Sequence, residues 1–212
     1  MPSKIFGFQH IFVSAPQARE ARTLLLLHGT GGNEQQLLPL AQGLDSSANL
    51  LSVRGKVLEN GMPRFFRRFA EGIFDEEDIR LQALELAQFL MQAIEEYGLN
   101  AQKVFAVGFS NGANIAAALL LLHPEVLAGA VLFRAMVPLV PTEVASLHTK
   151  PILLLAGQRD PIVPAENVAQ LAKMFTQADA EVTLKTLQTG HGLTQEDVDF
   201  AREWLAEETQ RE

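Results

Sequence analysis

Short apolar runs alternate along this chain with longer segments whose apolar residues recur at helical spacing, and few folds accommodate that alternation. The compact runs are Thr23–Leu27, Leu50–Val53, Val104–Val107, Ala130–Phe133, Ile152–Ala156 and Val182–Leu187, with a more loosely alternating run at Ile5–Val13. Apolar runs without polar alternation describe strands buried on both faces, and such strands lie parallel and are joined by helix-length crossovers. Between them, Glu34–Leu44, Glu77–Tyr97, Gly112–Leu122, Ala165–Gln177 and Gln195–Glu207 read as helices, the second and the last with a clear apolar stripe. The pattern predicts an α/β fold with a mainly parallel sheet of about seven strands, helices on both faces and Ile5–Val13 as an edge strand.

Local signals agree with these boundaries. Pro164 suits a first helical turn, and Thr194 with Asp197 resembles a capping box. No repeat, low-complexity tract or Pro/Gly-rich linker divides the chain, so residues 1–212 read as a single domain. A core of that size buries ~70% of the unfolded chain's surface without help from a metal or disulfide. The one long irregular segment is Arg54–Glu76, a length at which loops are functional or disordered.

Charge and composition exclude several classes. The net charge of −8 argues against a nucleic-acid partner, which needs a basic face. No run approaches the ~18 apolar residues of a membrane span, and the opening MPSKIFGFQHIFVSAPQ is too polar for a signal peptide. The reading is a cytoplasmic protein without membrane insertion. The absence of cysteine rules out disulfides, thiol catalysis and zinc-thiolate sites.

The stretch VFAVGFSNGANIAAALLLL, Val104 to Leu122, carries the chemistry. Gly108-Phe109-Ser110-Asn111-Gly112 fits G-x-S-x-G with an apolar strand before it and a helical run after it. A sharp strand-to-helix turn strains the serine backbone, so flanking glycines relieve crowding while Oγ projects above the sheet. The bland alternative is a serine that only caps the helix beginning at Asn111.

A serine hydroxyl needs a base, and in this arrangement the acid and then the base follow the nucleophile in the chain. Of the five histidines, only His123, His148 and His191 follow Ser110. His123 ends the helix after the serine, where a cation suits the helix dipole, and His148 sits in a surface-like connection. His191 lies on a Gly-flanked loop between the last strand and the last helix and is the best base. The acid is Asp160, just past the strand in ILLLAGQRDPIVP, with Asp179 its rival in an exposed turn. Asp160 would orient His191 so that Nε2 takes the Ser110 proton.

A pair of hydrogen-bond donors completes the set. LLLLHGTGGNEQQL follows the second strand with a glycine-rich turn, which places oxyanion donors at the backbone N–H groups of Thr30 and Asn111. A phosphate-binding reading of that turn lacks the lysine and the glycine spacing it requires.

LLLLHGTGGNE, GFSNGANIA, LAGQRDPIVP and TGHGL, taken in order, resemble the oxyanion, nucleophile, acid and base segments of the carboxylesterase/phospholipase family of α/β-hydrolases, which includes the acyl-protein thioesterases. The resemblance runs from about Thr23 to Trp204. It implies the α/β-hydrolase fold with a minimal cap, the triad Ser110, Asp160 and His191, and no metal or cofactor. Asn111 stands where the thioesterase branch has Gln, and GIFDEED replaces its Trp-Phe-Asp segment, so palmitoyl-protein substrates do not follow. SVRGKVLENGMPRFFRRFAEGIFDEEDI looks more like a bacterial subgroup of small hydrolases linked to quinone and aromatic-compound stress.

Within Arg54–Glu76, Phe65, Phe66, Phe69 and Phe74 lie among Arg54, Arg64, Arg67 and Arg68. Phe65, Phe66, Phe74 and, from another segment, Met136 are the candidate pocket residues; the arginines either orient a carboxylate or anchor the loop to its own acids. Met62 and Phe133 are placed along the same cleft or in the core. The function expected is a serine esterase acting on a small-molecule ester or thioester through an acyl-enzyme. A carbon–carbon hydrolase, a lysophospholipase, a peptidase and a non-catalytic ligand-binding protein on the same fold stay open. So does a homodimer.

Overall fold

The central strands are apolar on both faces because both faces are covered. In β3 (Thr23–Leu27), Leu25 and Leu27 enter one core while Leu24 and Leu26 enter the other. β9 (Val104–Phe109), β10 (Gly129–Phe133) and β11 (Pro151–Gly157) divide their residues the same way. The four β3 leucines are wholly buried, each stabilising the fold by about 2 kcal/mol.

A computed structural model describes residues 3–5, 7–143 and 145–209. Its main sheet has eight strands in the order β1 (Ser3–Ile5), β2 (Phe8–Val13), β4 (Asn49–Val53), β3, β9, β10, β11 and β12 (Glu181–Leu187). All neighbours from β4 to β12 are parallel; β1 and β2 are antiparallel. The Ile5–Val13 expectation is corrected here: β1 and β2 form a hairpin through Gly7, whose φ of 77° suits the turn, and β2 is an inner strand paired with β4.

α2 (Glu76–Tyr97), α3 (Asn111–Leu122) and α4 (Ala165–Gln177) cover one face, and α1 (Leu38–Leu44) with α5 (Gln195–Thr209) covers the other. α1 starts later than its apolar period suggests. Pro39 is tolerated only in a first turn, so residues 34–37 form turns ahead of it. Asp75 caps α2 by accepting the Asp78 N–H, and Gly98 ends it in the left-handed conformation. Pro164 lies at the N-cap of α4, one position before the first helical residue.

Residues 54–75 are not irregular. They form an arm of two hairpins, β5 (Val57–Glu59) with β6 (Met62–Arg64), and β7 (Arg68–Ala70) with β8 (Ile73–Phe74). Strands of two or three residues are too short to register as alternation. The chain runs from β3 outward to β4, then returns past β3 to β9. That reversal opens a crevice at the carboxyl ends of β3 and β9, where sheets of this kind bind ligands. No helix among the described residues is long and apolar enough to cross a membrane.

Candidate active site

β9 delivers Ser110 to this crevice. Its φ of 52° and ψ of −114° place it outside the ordinary allowed regions, a strain of roughly 1–3 kcal/mol that the surroundings must hold. The Ser110 N–H donates to the Phe133 carbonyl at 2.9 Å, tying the turn to the end of β10. A Cβ on Gly108 would lie 2.6 Å from Ala113 Cα, and one on Gly112 would overlap the Leu27 carbonyl, so both glycines are required by close approach. Ser110 does not cap α3 with its side chain. Its Oγ lies 3.0 Å from His191 Nε2.

His191 reaches the serine from the loop after β12, and its Nδ1 lies 2.8 Å from Asp160 Oδ2. With a carboxylate at Nδ1, that nitrogen carries the proton and Nε2 is left to accept from the Ser110 hydroxyl. Asp160 follows β11 and its side chain is 1% exposed. Its Oδ1 accepts the N–H groups of Ile162 at 2.8 Å and Val163 at 3.1 Å, which lock the carboxylate's orientation. The Phe109 ring packs 5.4 Å from the imidazole, centroid to centroid. His123 at the far end of α3 and His148 ahead of β11 lie at the opposite edge of the sheet.

Neither the Thr30 nor the Asn111 N–H has an acceptor among the described residues. Both residues line a cavity of about 270 Å³ in front of Ser110 and His191. The turn bearing Thr30 is fixed from below by His28, which is buried: Nδ1 donates to the Gly29 carbonyl at 2.7 Å and Nε2 accepts the Gly55 N–H at 3.0 Å. Burial holds its pKa below the ordinary imidazole value, consistent with this neutral tautomer. Asn111 Oδ1 accepts the Phe65 N–H at 2.7 Å, binding the arm to the start of α3.

The expected pocket residues divide. Phe74 and Met136 line the cavity. Phe65 and Phe66 do not, which corrects the expectation: they are 2% and 0% exposed, Phe65 packed on His28 and Phe66 edge-on to Phe74. Met62 is 42% exposed at the arm's surface, and Phe133 is a core residue. The arginines divide as well. Arg54 pairs with buried Glu34, and Arg67 with Asp75, as anchors. Arg64 and Arg68 face the cavity.

The residue that sequence reasoning passed over is Arg134, immediately after β10. It is fully buried with a φ of 56°. Its guanidinium forms a two-pronged pair with Asp197, both contacts at 2.8 Å, and donates to Gly190 O at 3.0 Å, Gly192 O at 3.2 Å and Thr189 Oγ1 at 2.9 Å. One side chain thus holds both neighbours of His191. Asp197 also accepts the Thr194 N–H and hydroxyl at 2.9 and 2.8 Å, so the residue that caps α5 is the counter-ion as well. The signal for it was a charge set in the apolar run VLFRAMVP. Among the described residues no group of three or more His, Cys, Asp or Glu side chains converges to hold a metal.

A doubly wound sheet with a strained serine elbow at its carboxyl edge defines the α/β-hydrolase class. Within it, this chain belongs to the phospholipase/carboxylesterase family, whose profile matches residues 8–208. MhqD of Bacillus subtilis (strain 168), named as a hydrolase, is 46% identical over 184 residues, 87% of this chain and 92% of MhqD. The crystal structure of the Bacillus cereus carboxylesterase matches with a TM-score of 0.92 at 48% identity over 94% of each chain. YahD, solved with malic acid, matches with a TM-score of 0.88 at 30% identity, over 94% of this chain and 98% of YahD.

Proposed function

We propose that this family member is a serine carboxylesterase that hydrolyses small carboxylic esters or thioesters through an acyl-enzyme. The observation that carries the reading is the continuous hydrogen-bonded relay from Asp160 through His191 to Ser110, at 2.8 and 3.0 Å. Ser110 Oγ attacks the carbonyl carbon as His191 Nε2 takes its proton, and the imidazolium, steadied by Asp160, returns that proton to the leaving oxygen or sulfur. Water then enters with His191 again as base, releasing the acid and restoring the serine. The N–H groups of Thr30 and Asn111 receive the oxyanion, each contributing about 3 kcal/mol to the transition state. Phe74 and Met136 serve as the apolar wall for the substrate. The structure of YahD with malic acid is in keeping with a small carboxylic acid as product here.

A fluorophosphonate probe should modify the wild type at Ser110, and Ser110→Ala should abolish both modification and p-nitrophenyl ester turnover. Mass spectrometry that finds the adduct on another residue, or an undiminished rate in Ser110→Ala, would overturn this reading.

A further inference from the structure

Arg64, at the end of β6, is a charge the protein does not fully answer. Its side chain is 3% exposed, and a buried guanidinium is costly unless paired and hydrogen-bonded. Nε donates to the Phe66 carbonyl at 3.2 Å and Nη1 to the Thr30 hydroxyl at 2.8 Å. Its carboxylate contact, Glu59, is long at 3.4 Å. Glu59 is in fact the counter-ion of Arg68, to which it offers both oxygens at 3.0 Å. Nη2 of Arg64 has no acceptor among the described residues, and Arg64 lines the cavity.

Two guanidiniums therefore share one inner carboxylate. The other carboxylate near them, Glu71, pairs with Arg68 from the rim, where its side chain is 57% exposed. Arg134, which also borders the cavity, is neutralised by Asp197 and offers no spare charge. Burial, and then the neighbouring Arg68, draw the Arg64 pKa below the usual arginine range, outweighing Glu59 and Glu71, which pull it up. A planar guanidinium with a free edge is suited to a carboxylate. The Thr30 hydroxyl pins it beside the turn that carries the proposed oxyanion donor, so an anion held there shares one cavity with Ser110.

We propose that Arg64, backed by Arg68, binds a free carboxylate on the substrate, so that the preferred esters are small and singly anionic, with Glu71 as a rim carboxylate that the substrate displaces. This rests on the esterase reading above. Hydrolysis of such a molecule breaks the acyl–oxygen bond and adds water. It yields a dicarboxylic acid if the anion lies on the acyl side and a hydroxy acid if it lies on the leaving group.

Two ester pairs distinguish those sources: p-nitrophenyl hemisuccinate against p-nitrophenyl pentanoate, and 4-acetoxybenzoate against its methyl ester. Wild type should favour the anionic member of at least one pair by tenfold or more in kcat/KM. The preference should shrink at high salt. It should fall toward unity in Arg64→Gln and rise two- to fivefold in Glu71→Gln, an exposed site where folding is not at stake. No preference in either pair, or a preference that survives Arg64→Gln, overturns the proposal. Calorimetric titration of succinate reads the arginine site without catalysis and should show binding to wild type that Glu71→Gln strengthens. Ser110 labelling without succinate binding or anionic preference defeats this inference alone, whereas succinate binding without Ser110 labelling defeats the esterase reading and leaves the carboxylate site standing.

Discussion

At the scale of single residues, the site depends on how closely backbones approach. α3 begins against the end of β3, and the absent Cβ of Gly112 is what lets the Leu27 and His28 carbonyls sit there. Gly112→Ala should therefore destabilise the protein by about 1–3 kcal/mol or more through overpacking, and lower kcat further because the displaced strand leads into the Thr30 turn. Gly192, whose added Cβ would meet nothing within 4 Å, is the control: Gly192→Ala should leave stability within about 0.5 kcal/mol. Urea melts of the two variants check both statements. The need for Gly108 and Gly112 was legible in the pentapeptide, because a strand-to-helix elbow has no room for side chains beside the serine. The strain itself, at Ser110 and again at Arg134, is a backbone angle that no residue-type pattern displays.

At the scale of elements, the arm of residues 54–75 shows where local reading fails. Its aromatic residues invited placement in the pocket, yet Phe65 and Phe66 turn inward because His28, Asn111 and Asp78 take up the backbone N–H groups of Gly55, Phe65 and Arg67. His28 is the hinge pin between this arm and the oxyanion turn. Its folded pKa is lowered by burial, as is that of His10. The native state resists a proton that the unfolded state accepts, so their contribution to stability is present above the ordinary value of about 6.5 and is lost as pH falls through the folded values. The slope approaches about 1.4 kcal/mol per pH unit for each imidazole. Melting temperatures measured from pH 8 to pH 5 should fall, and the fall should be shallower in His28→Gln, which can keep one donor and one acceptor without titrating.

At the scale of the whole molecule, the Arg134–Asp197 pair ties the end of β10 to the base loop and to α5, three segments distant in sequence. Desolvation offsets much of the attraction in a buried pair, and what costs is removing half of it. Asp197→Ala should lose about 3–5 kcal/mol of stability, because the guanidinium is left buried and unpaired. Arg134→Lys retains a charge for Asp197 but lacks the fork that reaches Thr189, Gly190 and Gly192. It should fold, with kcat lowered about 10- to 100-fold and KM within about threefold, since a loosened His191 misaligns the proton transfer rather than the substrate. Steady-state kinetics with the downfield imidazole N–H resonance of His191 check this, and an unchanged kcat with a sharp resonance would show that the loop holds itself.

The sequence by itself determined what depends on local period and residue chemistry. Apolar runs buried on two faces called for parallel strands, helical periods supplied the crossovers, and the elbow glycines marked Ser110. The order of Asp160 and His191 behind it singled them out. Only the tertiary structure decided which side chains meet. It drew Asp160, His191 and Ser110 into one relay from the ends of separate strands, turned Phe65 and Phe66 into core residues, split the arginines into anchors and cavity cations, and set Arg134 beneath the base loop. The physical reason is that burial and pairing are settled by residues far away in the chain. Arg134 and Asp197 are 63 positions apart, a distance over which no periodicity carries information.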